Sequence, residues 1–156
     1  MGTRSLTVFI DNHSDKEIVV MYKQYDGYPG GYGKDLADFL KGKKIVNGYS
    51  DSNEPVFNGV SCLAASVVAE FKEGIGNIYR YPAGSRDCGE EYTYFVSGKI
   101  GEEANIKVIG YSDECLFSGK ASKYDDWYLS LATEWSSAYE WNLALTNHPK
   151  YDIRRV

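Results

Sequence analysis

The chain is short of the residues that most enzyme and metal sites require. It has two histidines, His13 and His148, in 156 residues. That leaves no basis for a histidine-based triad or a multi-histidine metal centre. The three cysteines, Cys62, Cys88 and Cys115, are widely spaced and form no C-x-x-C pair, so neither a zinc site nor a secreted disulfide framework is expected. No apolar run approaches the roughly 18 residues of a membrane-crossing helix. No long apolar segment follows the N-terminus either, and a cytoplasmic (host-cell), reduced setting is expected. Lysine and arginine are not abundant. Seventeen of them against twenty-two acids give a net charge of -5, the wrong balance for holding an extended nucleic-acid backbone.

Hydrophobic residues make up 43% and charged residues 25% of the chain, a mixture that supports a packed core rather than disorder. The length suits one domain, 1–156. Leu6 to Ile10 and Glu17 to Tyr25 read as a strand pair joined by the polar turn Asp11–Asp15. Their few internal charges suggest that at least one is central. Lys34 to Lys41 reads as a short helix with Gly42 at its C′ position. The segment 43–57 reads as irregular, with Ile45-Val46-Asn47-Gly48 as a turn or short strand and Asp51 to Pro55 as a loop. Asn58 to Glu73 is the clearest helix: Val60, Leu63, Ala64, Val67, Val68 and Phe71 form one apolar stripe. Asn58 is expected to cap it, and Cys62, beside the stripe, is expected to be buried. Strands follow at Ile78–Tyr81, Tyr92–Val96, Ile106–Tyr111 and Cys115–Ser118, and a last helix is expected over Ala132 to Leu145. The pattern predicts an α+β domain, a mostly antiparallel sheet with two main helices on one face.

Two segments stand out as candidate sites. Tyr25-Asp26-Gly27-Tyr28-Pro29-Gly30-Gly31-Tyr32-Gly33 packs four glycines and three tyrosines into nine residues. Glycines permit positive φ and close approach, so this loop is a candidate for offering backbone N–H groups to an anion ahead of a helix. It lacks the Gly-Lys-Ser/Thr ending of a P-loop and the spacing of a dinucleotide fingerprint. The bland alternative is a Pro-Gly turn whose tyrosines pack on the sheet.

The second segment, Arg80 to Tyr92, reads as a long hairpin connection. Arg80 and Arg86 offer planar forks to carboxylate or phosphate, and Tyr81 and Tyr92 offer stacking faces. Asp87, Glu90 and Glu91 offer a general acid and base if burial shifts one of them, and Cys88 is a nucleophile only if a base approaches. Ion pairing of Arg86 with Glu90 or Asp87 is the structural alternative. The ligand-binding set expected from both segments is Tyr25, Asp26, Tyr28, Gly31, Gly33, Arg80, Tyr81, Arg86, Asp87, Glu90, Glu91 and Tyr92, forming two walls of one pocket.

Three blocks carry a resemblance. They are Tyr22-Lys23-Gln24-Tyr25-Asp26-Gly27-Tyr28-Pro29-x-Gly31-x-Gly33-Lys34-x-Leu36-Ala37-x-Phe39-Leu40, then Asn58-Gly59-x-x-Cys62-Leu63-Ala64-Ala65, then Tyr81-Pro82-x-Gly84-x-Arg86-Asp87-x-Gly89-Glu90-Glu91-Tyr92. Together, over roughly 18–97, the chain resembles a family of small uncharacterised proteins of bacteriophages, prophages and bacteria. The resemblance carries no activity or site residues, and implies a counter-defence or host-takeover setting by analogy.

Three readings follow. The first is a module that sequesters a small anionic, nucleotide-type ligand, with no cofactor and no membrane contact. The second is a protein-interaction module that inhibits a host protein, using its aromatic anchors and an acidic surface that suits a basic partner. The third is a hydrolase of a phosphate or glycosidic bond using Asp87, Glu90 or Glu91. The aromatic loops leave a homo-oligomer open.

Overall fold

The computed structural model describes residues 2–48 and 54–132. Eight strands and three helices follow one another: β1 Ser5–Ile10, β2 Glu17–Lys23, α1 Lys34–Leu40, β3 Lys44–Val46, β4 Val56–Asn58, α2 Gly59–Phe71, β5 Ile78–Tyr81, β6 Tyr92–Ser97, β7 Asn105–Ile109, β8 Cys115–Lys120 and α3 Tyr124–Ala132. Six strands form one sheet in the order β5-β2-β1-β6-β7-β8. Only the β1–β6 pair is parallel, so the sheet is mostly antiparallel and the domain is α+β as expected. The small parallel pair β3–β4 lies in a segment expected to be largely irregular. β3 overlaps the turn or short strand read at Ile45 to Gly48, whereas β4 was not expected, because three residues carry too little alternation.

Register explains the two faces. Thr7 pairs with Met21 and with Tyr94, and Phe9 with Val19 and Val96, so these side chains share one face. That face packs under the helices with Leu36, Leu40, Val60, Leu63, Ala64 and Val67 in the main core. The α2 stripe therefore falls where its period placed it. On the other face Leu6, Val8 and Val20 are fully buried, flanked by Tyr22, Tyr81, Cys88 and Phe95. β1 and β2 are interior strands, in line with their scarce charges.

Segment 82–91 is not a hairpin turn. β5 lies at the sheet edge and β6 beside β1, so the connection must cross two strands to join them. Cys88 in this connection packs against the second, smaller core. An edge strand and an interior strand joined in this way look like a hairpin in sequence, because pairing partners are chosen by the whole sheet.

Two local expectations are corrected. Asn58 does not cap α2. Its side-chain oxygen accepts from Gly48 N–H at 2.8 Å, and Asn12, in the β1–β2 turn, accepts from Val60 N–H at 3.0 Å instead. The cap is supplied by tertiary contact. Cys62 is exposed rather than buried, because it sits one residue off the apolar stripe. Gly42 holds φ 73° immediately beyond Lys41, the left-handed residue expected after α1. Helix α3, Tyr124–Ala132, was not expected from the sequence. Beyond Ala132, the expected helix to Leu145 lies outside the described residues, as does His148.

Candidate functional site

The glycine loop is a packed wall, built by buried tyrosines. Pro29–Gly33 forms a π-helical turn that runs directly into α1. Tyr94 Oη donates to Gly27 O at 2.8 Å, and Tyr124 Oη donates to Pro29 O at 2.7 Å. Tyr32 Oη and Thr7 Oγ1 share a hydrogen bond of 2.7 Å. Within the loop, Gly31 and Gly33 N–H donate to Tyr28 O, Tyr32 N–H to Asp26 O, and Gly27 N–H to Thr3 O.

These bonds correct the reading of the glycines. None of Gly27, Gly30, Gly31 and Gly33 has a positive φ; in this loop only Asp26 does, at 59°. The demand is for space. A Cβ at Gly27 would come within 2.6 Å of Ser5 Cβ, and one at Gly33 within 2.2 Å of Tyr124 Oη. With four loop N–H groups already donating to protein carbonyls, the loop is not an anion cradle.

The two expected walls do not meet. Tyr25, Asp26, Tyr28 and Gly31 line a cleft of about 820 Å³ with Lys23, Asp35, Asp38, Phe39, Lys43, Glu70 and Glu73. Gly33 is buried against Tyr94 and Tyr124. Arg80 and Tyr81 line a different groove, between α2 and the β2–β5 edge. Arg86 lies against the other face of the sheet, 5.4 Å from the Phe95 ring centroid. Asp87, Glu90 and Glu91 line a smaller cleft of about 460 Å³ with Thr93 and Tyr111. Tyr92 belongs to the core under the helices, 1% exposed. One segment is thus divided between both faces and the interior, because strand alternation sends its neighbours to opposite sides.

The Arg86 loop is internally satisfied. Arg86 pairs with Glu17, not with Glu90 or Asp87, and Glu17 Oε2 also accepts from Gly84 N–H at 2.6 Å. Glu90 accepts from the N–H groups of Asp87 at 3.1 Å and Cys88 at 2.6 Å, so its carboxylate staples its own loop. Burial, reinforced by Glu90 and Asp87, pushes the Cys88 thiol above its usual range, which disfavours the thiolate a nucleophile needs. The Arg86 guanidinium holds the Glu17 carboxyl below its ordinary value of 4.5, although partial burial opposes this. A depressed carboxyl stabilises the fold above that ordinary value, and the contribution is lost as pH falls through the depressed one. With both side chains about a third exposed, the pair is worth only about 1 kcal/mol. Glu17→Gln should flatten the acid side of the stability profile by that amount. Denaturant titrations of both proteins from about pH 7 to about pH 3 measure it, and parallel profiles would remove the pair from the account.

The glycine-loop cleft has a definite electrostatic character. Five carboxylates face two ammonium groups. Asp38 is paired with Lys34 and Lys41, but among the described residues Asp26, Asp35, Glu70 and Glu73 make no ion pair. Both lysines are already engaged. Lys23 is 8% exposed and donates to Tyr25 O at 2.7 Å, 5.0 Å from the Tyr25 ring centroid. Lys43 donates to Phe39 O and lies 3.8 Å from the Phe39 ring centroid. Burial lowers the Lys23 pKa, and the negative potential of Asp26, Asp35 and Glu73 opposes that shift. Burial raises the Tyr28 phenol, with Asp26 and Asp35 adding to it. The acids that complete the cleft went unrecognised in the sequence. The available signal was the i,i+3 acidic pair Asp35/Asp38, which α1 brings to one side; Glu70 comes from the end of α2 and Glu73 from the chain just beyond it.

Among the described residues, no group of His, Cys, Asp and Glu is arranged to hold a metal ion, and no helix is long and apolar enough to cross a membrane. Compared with protein-family models, with curated proteins and with solved structures, the chain matches none of them.

Proposed function

We propose that this domain is a non-catalytic interaction module whose glycine-loop cleft takes a basic segment of a partner protein. The observation that carries this is the wall of carboxylates at Asp26, Asp35, Glu70 and Glu73, unpaired among the described residues, beside the exposed ring of Tyr25 and the half-buried rings of Tyr28 and Phe39. A guanidinium or ammonium entering there gains ion pairs and the face of an aromatic ring, and such a ring contact contributes about 0.5–2 kcal/mol depending on desolvation. The rigid loop supports the reading, since a wall held by buried hydroxyls needs little ordering on binding. An anionic ligand would have to approach the same carboxylates with both lysines engaged elsewhere, and the arginines expected to receive it lie outside the cleft. In the setting implied by the resemblance to phage proteins, the partner would be a host protein, blocked at a basic patch.

The test is titration with an arginine-rich peptide and, in parallel, with ATP. Saturable, salt-sensitive binding of the peptide is expected, weakened at least about tenfold in an Asp35→Asn, Glu73→Gln variant that retains its fold, while ATP does not compete. Equal peptide affinity in wild type and variant, or competition by ATP, would remove this cleft from the function.

A further inference from the structure

A second cleft of about 820 Å³ lies on the opposite flank of α2, over the β2–β5 edge of the sheet, with an inverted character. Its walls are apolar: Val19, Ala65, Val68, Ala69 and Pro82 all line it. Among the described residues its only charged lining residues are Lys72 and Arg80, and no acid lines it, in a chain that carries five more acids than bases. Ser61, Ala65 and Ala69 recur every fourth residue along the exposed flank of α2, so the helix presents small side chains there and leaves room.

The two cations have a place in this groove. Arg80 pairs in register with Met21 and so rises from the sheet on the helix-covered side. It is exposed, and among the described residues its side chain makes no hydrogen bond or ion pair. Lys72 follows the last residue of α2, anchored by bonds from Nζ to Gly76 O at 2.8 Å and Ile78 O at 2.9 Å. Both therefore stand towards the C-terminal end of α2, while Ile18 and Ser61 lie at the other end of the groove. The result is a polarised channel, cationic at one end and apolar along its length.

We infer that this groove is a binding site for an amphipathic anion, a carboxylate-headed molecule with an aliphatic tail. The carboxylate pairs with the Arg80 fork beside Lys72. The tail lies along Ala65 and Ala69 against Val19 and Val68, and removal of its surface from water drives the binding. Strand addition to β5, an edge strand among the described residues, is a weaker fit, because β5 is four residues long and carries Arg80, features that blunt an edge. This site is independent of the glycine-loop cleft, and either reading survives the failure of the other.

Dodecanoate is the probe, with dodecanol as the same tail without charge, both measured by calorimetry below the concentration at which they aggregate. Saturable dodecanoate binding is expected, at least about tenfold tighter than dodecanol, as a charged hydrogen-bonded head requires. Arg80→Gln should remove most of that difference. Ala65→Trp, an exposed position that leaves the core untouched, should block binding of both probes with the melting temperature retained. The inference is overturned by any of four results: no saturable dodecanoate binding, dodecanol bound as tightly, binding unchanged by Ala65→Trp, or an extended apolar peptide binding where dodecanoate does not.

Discussion

Gly33→Ala should destabilise the protein by about 2–3 kcal/mol, a large effect for one methyl group, because the methyl has no free volume to enter. The added Cβ would lie 2.2 Å from Tyr124 Oη and 3.0 Å from the Tyr94 ring and hydroxyl. Tyr124 cannot retreat easily. Its ring is fully buried, in edge contact with Phe117 at 5.3 Å and Trp127 at 5.1 Å, and its hydroxyl is tied to Pro29 O. Tyr124→Phe alone should cost about 1–2 kcal/mol, since Pro29 O then loses its buried donor. The two changes should not add. The Phe variant removes the atom that the new methyl strikes, so the double mutant should be more stable than the sum predicts by about 1 kcal/mol. Denaturant unfolding of the four proteins measures this cycle. Strict additivity would mean that the clash is relieved elsewhere and that Tyr124 does not clamp the loop.

The second large effect is expected in alkali. Tyr32, Tyr94 and Tyr124 are all buried, and burial raises each phenol well above its ordinary value of 10.0. Unfolding releases them to ionise at their usual pH. The folded state then holds more protons than the unfolded one, and stability must fall as pH rises. The loss is absent below about pH 10 and continues until the raised folded values are reached, with a slope of up to about 1.4 kcal/mol per pH unit for each phenol. Three such groups would exhaust an ordinary domain's stability within two or three pH units above that threshold. The check is denaturant unfolding at stepped alkaline pH, with phenolate absorbance followed in parallel. Tyr94→Phe should reduce the slope by one group's share, whatever it does to the stability at neutral pH. Ionisation of all fourteen tyrosines near pH 10 with the fold intact would contradict the burial.

Both predictions concern the same piece of chain, and they show why it misled at the level of sequence. Four glycines beside a helix start look like a phosphate loop, because glycine is the residue that permits positive φ. Here ordinary backbone angles prevail at the glycines, and Gly27 and Gly33 are small so that Ser5, Tyr94 and Tyr124 can close on them. The two demands leave the same letters in a sequence. Only the tyrosine partners distinguish them, and Tyr94 and Tyr124 are 67 and 95 residues from the carbonyls they bind.

Local periodicity reached further. The α2 stripe, the interior position of β1 and β2, the β5 boundaries and the α+β class rest on alternation and the 3.6-residue repeat, which any folded environment must respect. What periodicity does not contain is which strand pairs with which. The order and register of β5-β2-β1-β6 put Arg80 and Arg86 on opposite faces of the sheet and sent Tyr92 into the core. It also let Asn12 take the capping role expected of Asn58. The acidic lining of the glycine-loop cleft depends on the same long-range choice, because α1 brings Asp35 and Asp38 to it, α2 brings Glu70, and the chain just beyond α2 brings Glu73. Composition and local period determined the domain class and the helix and strand faces, since those depend on each residue's own neighbours. The contents of both clefts were decided by tertiary structure, because a site is made where distant segments meet, and burial of the whole apolar surface selects that meeting.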